Sequence, residues 1–170
     1  MLKSNNPCTM HKIIFIDVDG VLNRICEGGI STPIKMVGDI MTMADPELVY
    51  RLNLIVDRTG AEMVLSSSWR HLKNWRATMK ASGIVKSFLD RTDTQTKKHG
   101  GFSMEGGEYR RVRGNVIQAW LNEHPVERYA IIDDDDDMLA SQFPNFFKTD
   151  PAFGLTQEIA DRIEKHFTRQ

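Results

Sequence analysis

The chain of 170 residues has two cysteines, Cys8 and Cys26. That is too few for a disulfide-stapled scaffold. It also lacks any apolar run near the roughly 18–20 residues that a membrane span needs. The longest such run, Ile13 to Ile16, stops at Asp17. Met1 to Met10 has no apolar stretch that could form the centre of a secretory signal. Neither sign of charge is in excess: Lys plus Arg is 22, Asp plus Glu is 23, and the formal net charge is −1. This excludes a polybasic binder, although a local basic groove remains open. What is present, 41% apolar and 26% charged residues, suits a globular chain. The expectation is a soluble, cytoplasmic protein with a flexible tail over residues 1–10 and a single domain over 11–170.

Lys12 to Ile16 is β-branched and aromatic and ends abruptly in polar residues, as a buried strand does. Residues 23–44 lack a clear period and read as an excursion with a short hairpin. Asp45 then suits a helix N-cap and Pro46 the first helical position. Leu48, Leu52, Ile55 and Val56 follow at helical spacing, and Gly60 closes the helix. Ala61 to Leu65 is a second strand, running into Ser66, Ser67 and Ser68. The spacing of Leu72, Trp75 and Met79 predicts a helix from about Trp69 to Lys80. Residues 86–112 hold few apolar residues and read as a functional loop. A helix follows from Gly114, closed by Pro125, then a strand over Tyr129 to Ile132. Phe146 to Lys148 is a fourth strand, and Thr156 caps a last helix carrying Ile159, Ile163 and Phe167.

Strands alternating with helices predict a parallel α/β sheet with helices on both faces. Ligands of such sheets bind beyond the carboxyl ends of the strands. The polar clusters Asp17 and Asp19, Ser66 to Ser68, and Asp133 to Asp137 each follow a strand directly, so they converge on one rim. Carboxylates gathered so closely repel unless a cation lies among them or one is protonated. The candidate ligands are oxygens with no His or Cys adjacent, which favours Mg²⁺ over zinc. Asp17 to Gly20 also resembles the start of a calcium loop, but the twelfth position is Gly28 rather than Glu.

Residues 14–23, Ile-Phe-Ile-Asp-Val-Asp-Gly-Val-Leu-Asn, resemble motif I of the haloacid dehalogenase-like (HAD) phosphohydrolases. Val64 to Arg70 resembles motif II, Arg113 with the helix after it motif III, and Ile131 to Asp137 motif IV, in matching order over about residues 12–160. The Ser-Ser-Trp-Arg segment, Arg113-Gly114 and the late Gly154-Leu155-Thr156 are similar to the HAD domain of multi-enzyme (Swiss Army Knife) RNA-repair proteins. The resemblance implies a three-layer Rossmannoid fold with a small or absent cap. It implies Asp17 as nucleophile and Asp19 as general acid and base. Mg²⁺ is then held by the Asp17 carboxylate, the Asp19 carbonyl and the motif IV acids, Asp134 first and Asp133 beside it. Ser67, where the family pattern has Thr, or else Ser66, binds phosphate. Arg113 steadies the transferring phosphoryl group, with Lys97 and Lys98 as alternatives. Asn23 and Arg70, next to motifs I and II, are the expected substrate contacts. Asp137 is placed to brace Arg113 or the metal's waters.

Two segments could shape specificity: residues 21–45, room for a small flap, and residues 70–112, a lid or substrate loop. The second carries many Lys and Arg interleaved with Trp69, Trp75, Phe102 and Tyr109. Basic plus aromatic suits a nucleic-acid end, although both tryptophans are equally expected in the core. The expected activity is a Mg²⁺-dependent phosphomonoesterase acting on an RNA or DNA terminal phosphate or a nucleotide. The alternatives are a small-metabolite phosphatase and a catalytically silent phosphate-binding module. The oligomeric state stays open.

Overall fold

The computed structural model describes residues 11–92, 102–105 and 108–168. In chain order it begins with β1 (His11–Ile16), β2 (Ile25–Cys26), β3 (Gly29–Ile30), β4 (Lys35–Val37), β5 (Ile40–Thr42) and α1 (Pro46–Thr59). Next come β6 (Glu62–Leu65), a 3-10 turn (Ser68–His71), α2 (Trp75–Ala81), β7 (Asp90–Arg91), β8 (Phe102–Glu105) and β9 (Glu108–Arg111). The last part is α3 (Arg113–Glu123), β10 (Val126–Asp133), a second 3-10 turn (Ala140–Asn145), β11 (Phe146–Lys148) and α4 (Gln157–Thr168).

β11, β10, β1, β6 and β7 lie side by side in that order, and every neighbouring pair is parallel. β1 is apolar on both faces because helices cover both sides of the sheet. Ile14 and Ile16 join Met63, Leu65 and Ile132 against α1, α2 and α4, where they meet Leu52, Met79 and Ile163. Ile13 and Phe15 join Val64 and Ile131 against α3, where they meet Ile117 and Trp120. Each such side chain contributes about 1.5–3 kcal/mol on burial. The expected three-layer parallel α/β architecture is therefore present, with three helices on one face and α3 on the other.

α1 forms as its sequence predicts. The Asp45 side chain accepts from the Glu47 N–H at 2.9 Å, and Pro46 sits where no intrahelical N–H is needed. Gly60 ends the helix in the left-handed conformation, φ +66°.

Three expectations need correction. The helix over Trp69 to Lys80 is broken into a 3-10 turn and α2, with Leu72 extended between them (φ −63°, ψ 134°). The turn stops because Arg70 folds back onto its own approach: its Nη1 donates to the carbonyls of Ser66 and Ser67. Trp75 and Met79 keep the buried face, but Leu72 is 44% exposed. The predicted loop over 86–112 contains β7 and the β8–β9 hairpin. β10 also runs longer than the apolar core of Tyr129 to Ile132. The excursion after motif I forms two hairpins, β2–β3 and β4–β5, which make a small flap. The expected tail, residues 1–10, lies outside the described residues.

Candidate active site

The register of three strands assembles the site. Ile16 of β1 lies beside Leu65 of β6 and Ile132 of β10. The Asp17 N–H donates to Ile132 O, and the Ser66 N–H donates to Ile16 O, each at 3.0 Å. The residue following each of these positions, Asp17, Ser66 and Asp133, thus arrives at the same rim. Asp17 is 4% exposed and Asp133 fully buried. Carboxylate oxygens of Asp17, Asp133 and Asp134 all lie within 4.8 Å of one another.

Among the described residues one cation faces them. Arg113 opens α3, and its Nη1 lies 2.9 Å from Asp17 Oδ1 and 2.7 Å from Asp133 Oδ2. Both are close contacts between opposite charges. Burial by itself would lower the guanidinium's pKa. The facing carboxylates of Asp17, Asp133 and Asp137 outweigh burial, and the net shift is upward, so Arg113 stays charged.

Three carboxylates still exceed one guanidinium. Burial first, then the charges of Asp17 and Asp134, raise the Asp133 carboxyl well above its usual range against the opposing pull of Arg113. Burial, Asp17 and Asp135 push Asp134 up to about 6. Three carboxylates gathered at one place, two of them resisting ionisation, form the oxygen donor set a hard divalent cation satisfies.

The five-aspartate run resolves into separate tasks. Asp133 pairs with Arg113 and accepts from the Asp135 N–H at 3.1 Å. Asp134 packs against Gly20, which has φ +69° and where an added Cβ would come within 2.6 Å of the Asp134 carboxyl carbon. Asp136 pairs with Lys148 at 2.9 Å. Asp137 caps α3 from across the loop: its Oδ2 accepts from the Arg113 N–H at 2.8 Å, and its carbonyl from the Gly114 N–H at 3.1 Å.

Asp19 occupies different surroundings from Asp17. Its Oδ1 accepts from Asn23 Nδ2 at 2.8 Å and its Oδ2 from the Trp69 indole N–H at 2.9 Å. Its carboxylate is held by neutral donors, apart from the acidic cluster. Asn23 is fully buried and its Oδ1 also accepts from the Gly20 N–H. Arg70 is 1% exposed and braces the backbone at Ser66 and Ser67. Both therefore brace the backbone around motifs I and II. Ser67 Oγ accepts from the Trp69 N–H and caps the 3-10 turn, whereas the buried Ser66 Oγ has no hydrogen-bond partner among the described residues.

Lys97 and Lys98 lie outside the described residues. Residues that the sequence did not single out also shape the rim. Thr149 Oγ1 donates to the Gly20 carbonyl at 2.9 Å, tying the motif I loop to the segment after β11. Gln142 is buried, donating to the Gly114 carbonyl and accepting from the Leu139 N–H. Trp69 was expected in the core. It packs partly there, but its N–H is spent on Asp19. Its place directly after the motif II serines, at a strand's carboxyl end, is the signal that marks it.

No curated protein matches the chain. Among solved structures, one described as a HAD superfamily (subfamily III A) hydrolase from Legionella pneumophila is similar over 93% of this chain and 84% of that chain, at 12% identity and a TM-score of 0.42. The family described as the HAD domain in Swiss Army Knife RNA repair proteins matches residues 13–160, from β1 into α4, a span that takes in every segment of the rim. This chain is a member of that family.

Proposed function

We propose that the domain is a Mg²⁺-dependent phosphomonoesterase working through an aspartyl-phosphate. The observation that carries this is the contrast between two carboxylates two residues apart. Asp17 sits in the charged cluster against Arg113, while Asp19 is held outside it by Asn23 and Trp69. Paired carboxylates in unlike surroundings suit unlike roles.

Asp17 attacks phosphorus, forming a bond between its carboxylate oxygen and phosphorus as the bond to the ester oxygen breaks. Asp19 gives its proton to that departing oxygen and then takes one from the water that hydrolyses the aspartyl-phosphate, which releases inorganic phosphate and frees Asp17. Arg113 balances charge on the phosphoryl oxygens. The Ser66 hydroxyl, without a hydrogen-bond partner among the described residues, donates to one of those oxygens, with Ser67 beside it. The acids fit Mg²⁺: Asp17 and Asp134, with Asp133 behind them and the Asp19 carbonyl, would hold the ion, which supplies charge neutralisation between the nucleophile and the phosphate.

The family's occurrence in RNA repair proteins supports a nucleic-acid terminal phosphate or a nucleotide as substrate. The test is phosphate release from a 3′-phosphorylated oligonucleotide, a nucleoside monophosphate and glycerol phosphate, with Mg²⁺ and with EDTA. Release should require Mg²⁺ and fall at least about 10³-fold in Asp17→Asn. A folded protein that releases nothing from any substrate overturns the proposal and leaves a silent phosphate-binding module. Preference for glycerol phosphate makes it a small-metabolite phosphatase.

A further inference from the structure

The flap and the first 3-10 turn face each other across a cleft of about 550 Å³. This is within the ~300–1,000 Å³ typical of small-molecule sites. Its apolar wall is built from Ile40, Met41 and Met43 on the flap side and from Trp69 and Leu72 on the other. Met41 is 52% exposed and Leu72 44%, so a large part of this wall meets solvent. Asp39, Lys73 and Asn74 add hydrogen-bonding groups to the lining.

The carboxylate cluster does not line this cleft, but Trp69 belongs to both places. Its ring is part of the cleft wall and its N–H donates to Asp19 Oδ2 at 2.9 Å. Resting on the phosphatase proposal above, Asp19 protonates the departing oxygen, which must therefore come within hydrogen-bond reach of that carboxylate. Whatever is attached to the oxygen then extends from the Asp19 side, where Trp69 leads into the cleft.

We propose that this cleft is the leaving-group site and that it takes a nucleobase, with Trp69 joining the recognition of that base to the placing of the proton donor. The lining selects the occupant. A polyol has little apolar surface to bury against Met41, Met43 and Leu72. A flat ring buries its faces there without loss. Methionine sulfur and indole both make favourable contacts with aromatic rings, and bases of any identity stack on such surfaces. Asp39, Lys73 and Asn74 can meet the polar edge of the base. A free nucleotide and the terminal residue of an oligonucleotide present this same chemistry.

The experiment compares wild type with Leu72→Asp. This change puts a charge on an exposed wall residue that touches neither the acids nor Arg113. Initial rates are measured on a nucleoside monophosphate, a 3′-phosphorylated oligonucleotide and glycerol phosphate. Wild type should favour the base-bearing substrates in kcat/KM. Leu72→Asp should lower kcat/KM for them about tenfold while leaving glycerol phosphate within about twofold, since one well-packed contact is worth about 1.4 kcal/mol. The better of the two base-bearing substrates identifies the source. Equal losses on all substrates, or no preference in wild type, overturn the proposal. Calorimetric binding of the same nucleotide to Asp17→Asn, with and without Leu72→Asp, is read in parallel. If wild type turns over none of the substrates while Leu72→Asp weakens this binding, the cleft is upheld and the hydrolytic proposal fails. Binding that is absent, or indifferent to Leu72, overturns the cleft.

Discussion

Arg113 carries its charge into the space between Asp17 and Asp133, and neither acid has another cation so near among the described residues. Removing one member of a buried charged group costs about 3–5 kcal/mol, because the remaining charges are left uncompensated. Arg113→Met should therefore lower the urea unfolding free energy by about 3 kcal/mol in EDTA. Arg113→Lys should recover part of that loss. Near-identical stability of wild type and Arg113→Met would show that the acids do not depend on the guanidinium. At this scale the sequence is informative where spacing carries the chemistry. Asp17 and Asp19 are recognisable because two carboxylates around one residue at a strand end are costly without a purpose. Ser66 and Ser67 are not separable in this way: three consecutive hydroxyls look alike until the strand register shows which one stands beside Asp17 and which one caps a turn. Asn23 and Arg70 are ambiguous for a similar reason. A polar side chain next to a motif can point at a ligand or at the motif's own backbone, and only the folded chain decides.

α3 shows how an element can be legible while its attachment is not. Its apolar positions Val116, Ile117 and Trp120 mark the helix in the sequence, but its N-cap position is Val112, which has no side chain able to cap. Asp137 does that work from the far side of β10, and Gly114 allows the approach. A Cβ at Gly114 would lie 2.5 Å from the Leu139 backbone nitrogen and 2.6 Å from Gln142 Oε1. Backbone cannot yield as a flexible side chain can. Gly114→Ala should therefore push the first turn of α3 outward, cost about 1–3 kcal/mol and displace Arg113 from the acids. Urea denaturation together with the amide spectrum around Asp133 and Asp137 checks this, and unchanged stability would mean that the contact is slack. The elements that escape the sequence are short or interrupted. β7 has two residues and is defined by pairing with β6 rather than by any apolar pattern. The segment after Ser67 has helical spacing, yet Arg70 bonds backward and ends the turn before Leu72 can join it.

For the whole molecule, the acidic cluster makes stability depend on pH. Asp133 and Asp134 both hold protons more tightly in the folded chain than at the ordinary carboxyl pKa, and Asp134 reaches about 6. Between the unfolded value and the folded one the native state binds more protons than the unfolded state, so unfolding free energy falls as pH rises. The contribution of Asp134 is fully present below the unfolded pKa and is lost as pH climbs through about 6. Metal-free protein should therefore lose urea resistance between about pH 4.5 and pH 7 relative to Asp134→Asn, whose profile lacks this component. Parallel profiles for the two proteins would contradict the shift. Among the described residues no helix is long and apolar enough to cross a membrane.

The strand order has a consequence in time. β1 is made first, but one of its two flanking strands is β10, drawn from much later in the chain. Asp17 is therefore synthesised long before Arg113 and Asp133, and it has no cluster to join until β10 slides in beside it. The same docking event closes the sheet and assembles the rim. A growing or half-folded chain thus carries Asp17 without its partners, and the charge cluster is withheld until the architecture is complete.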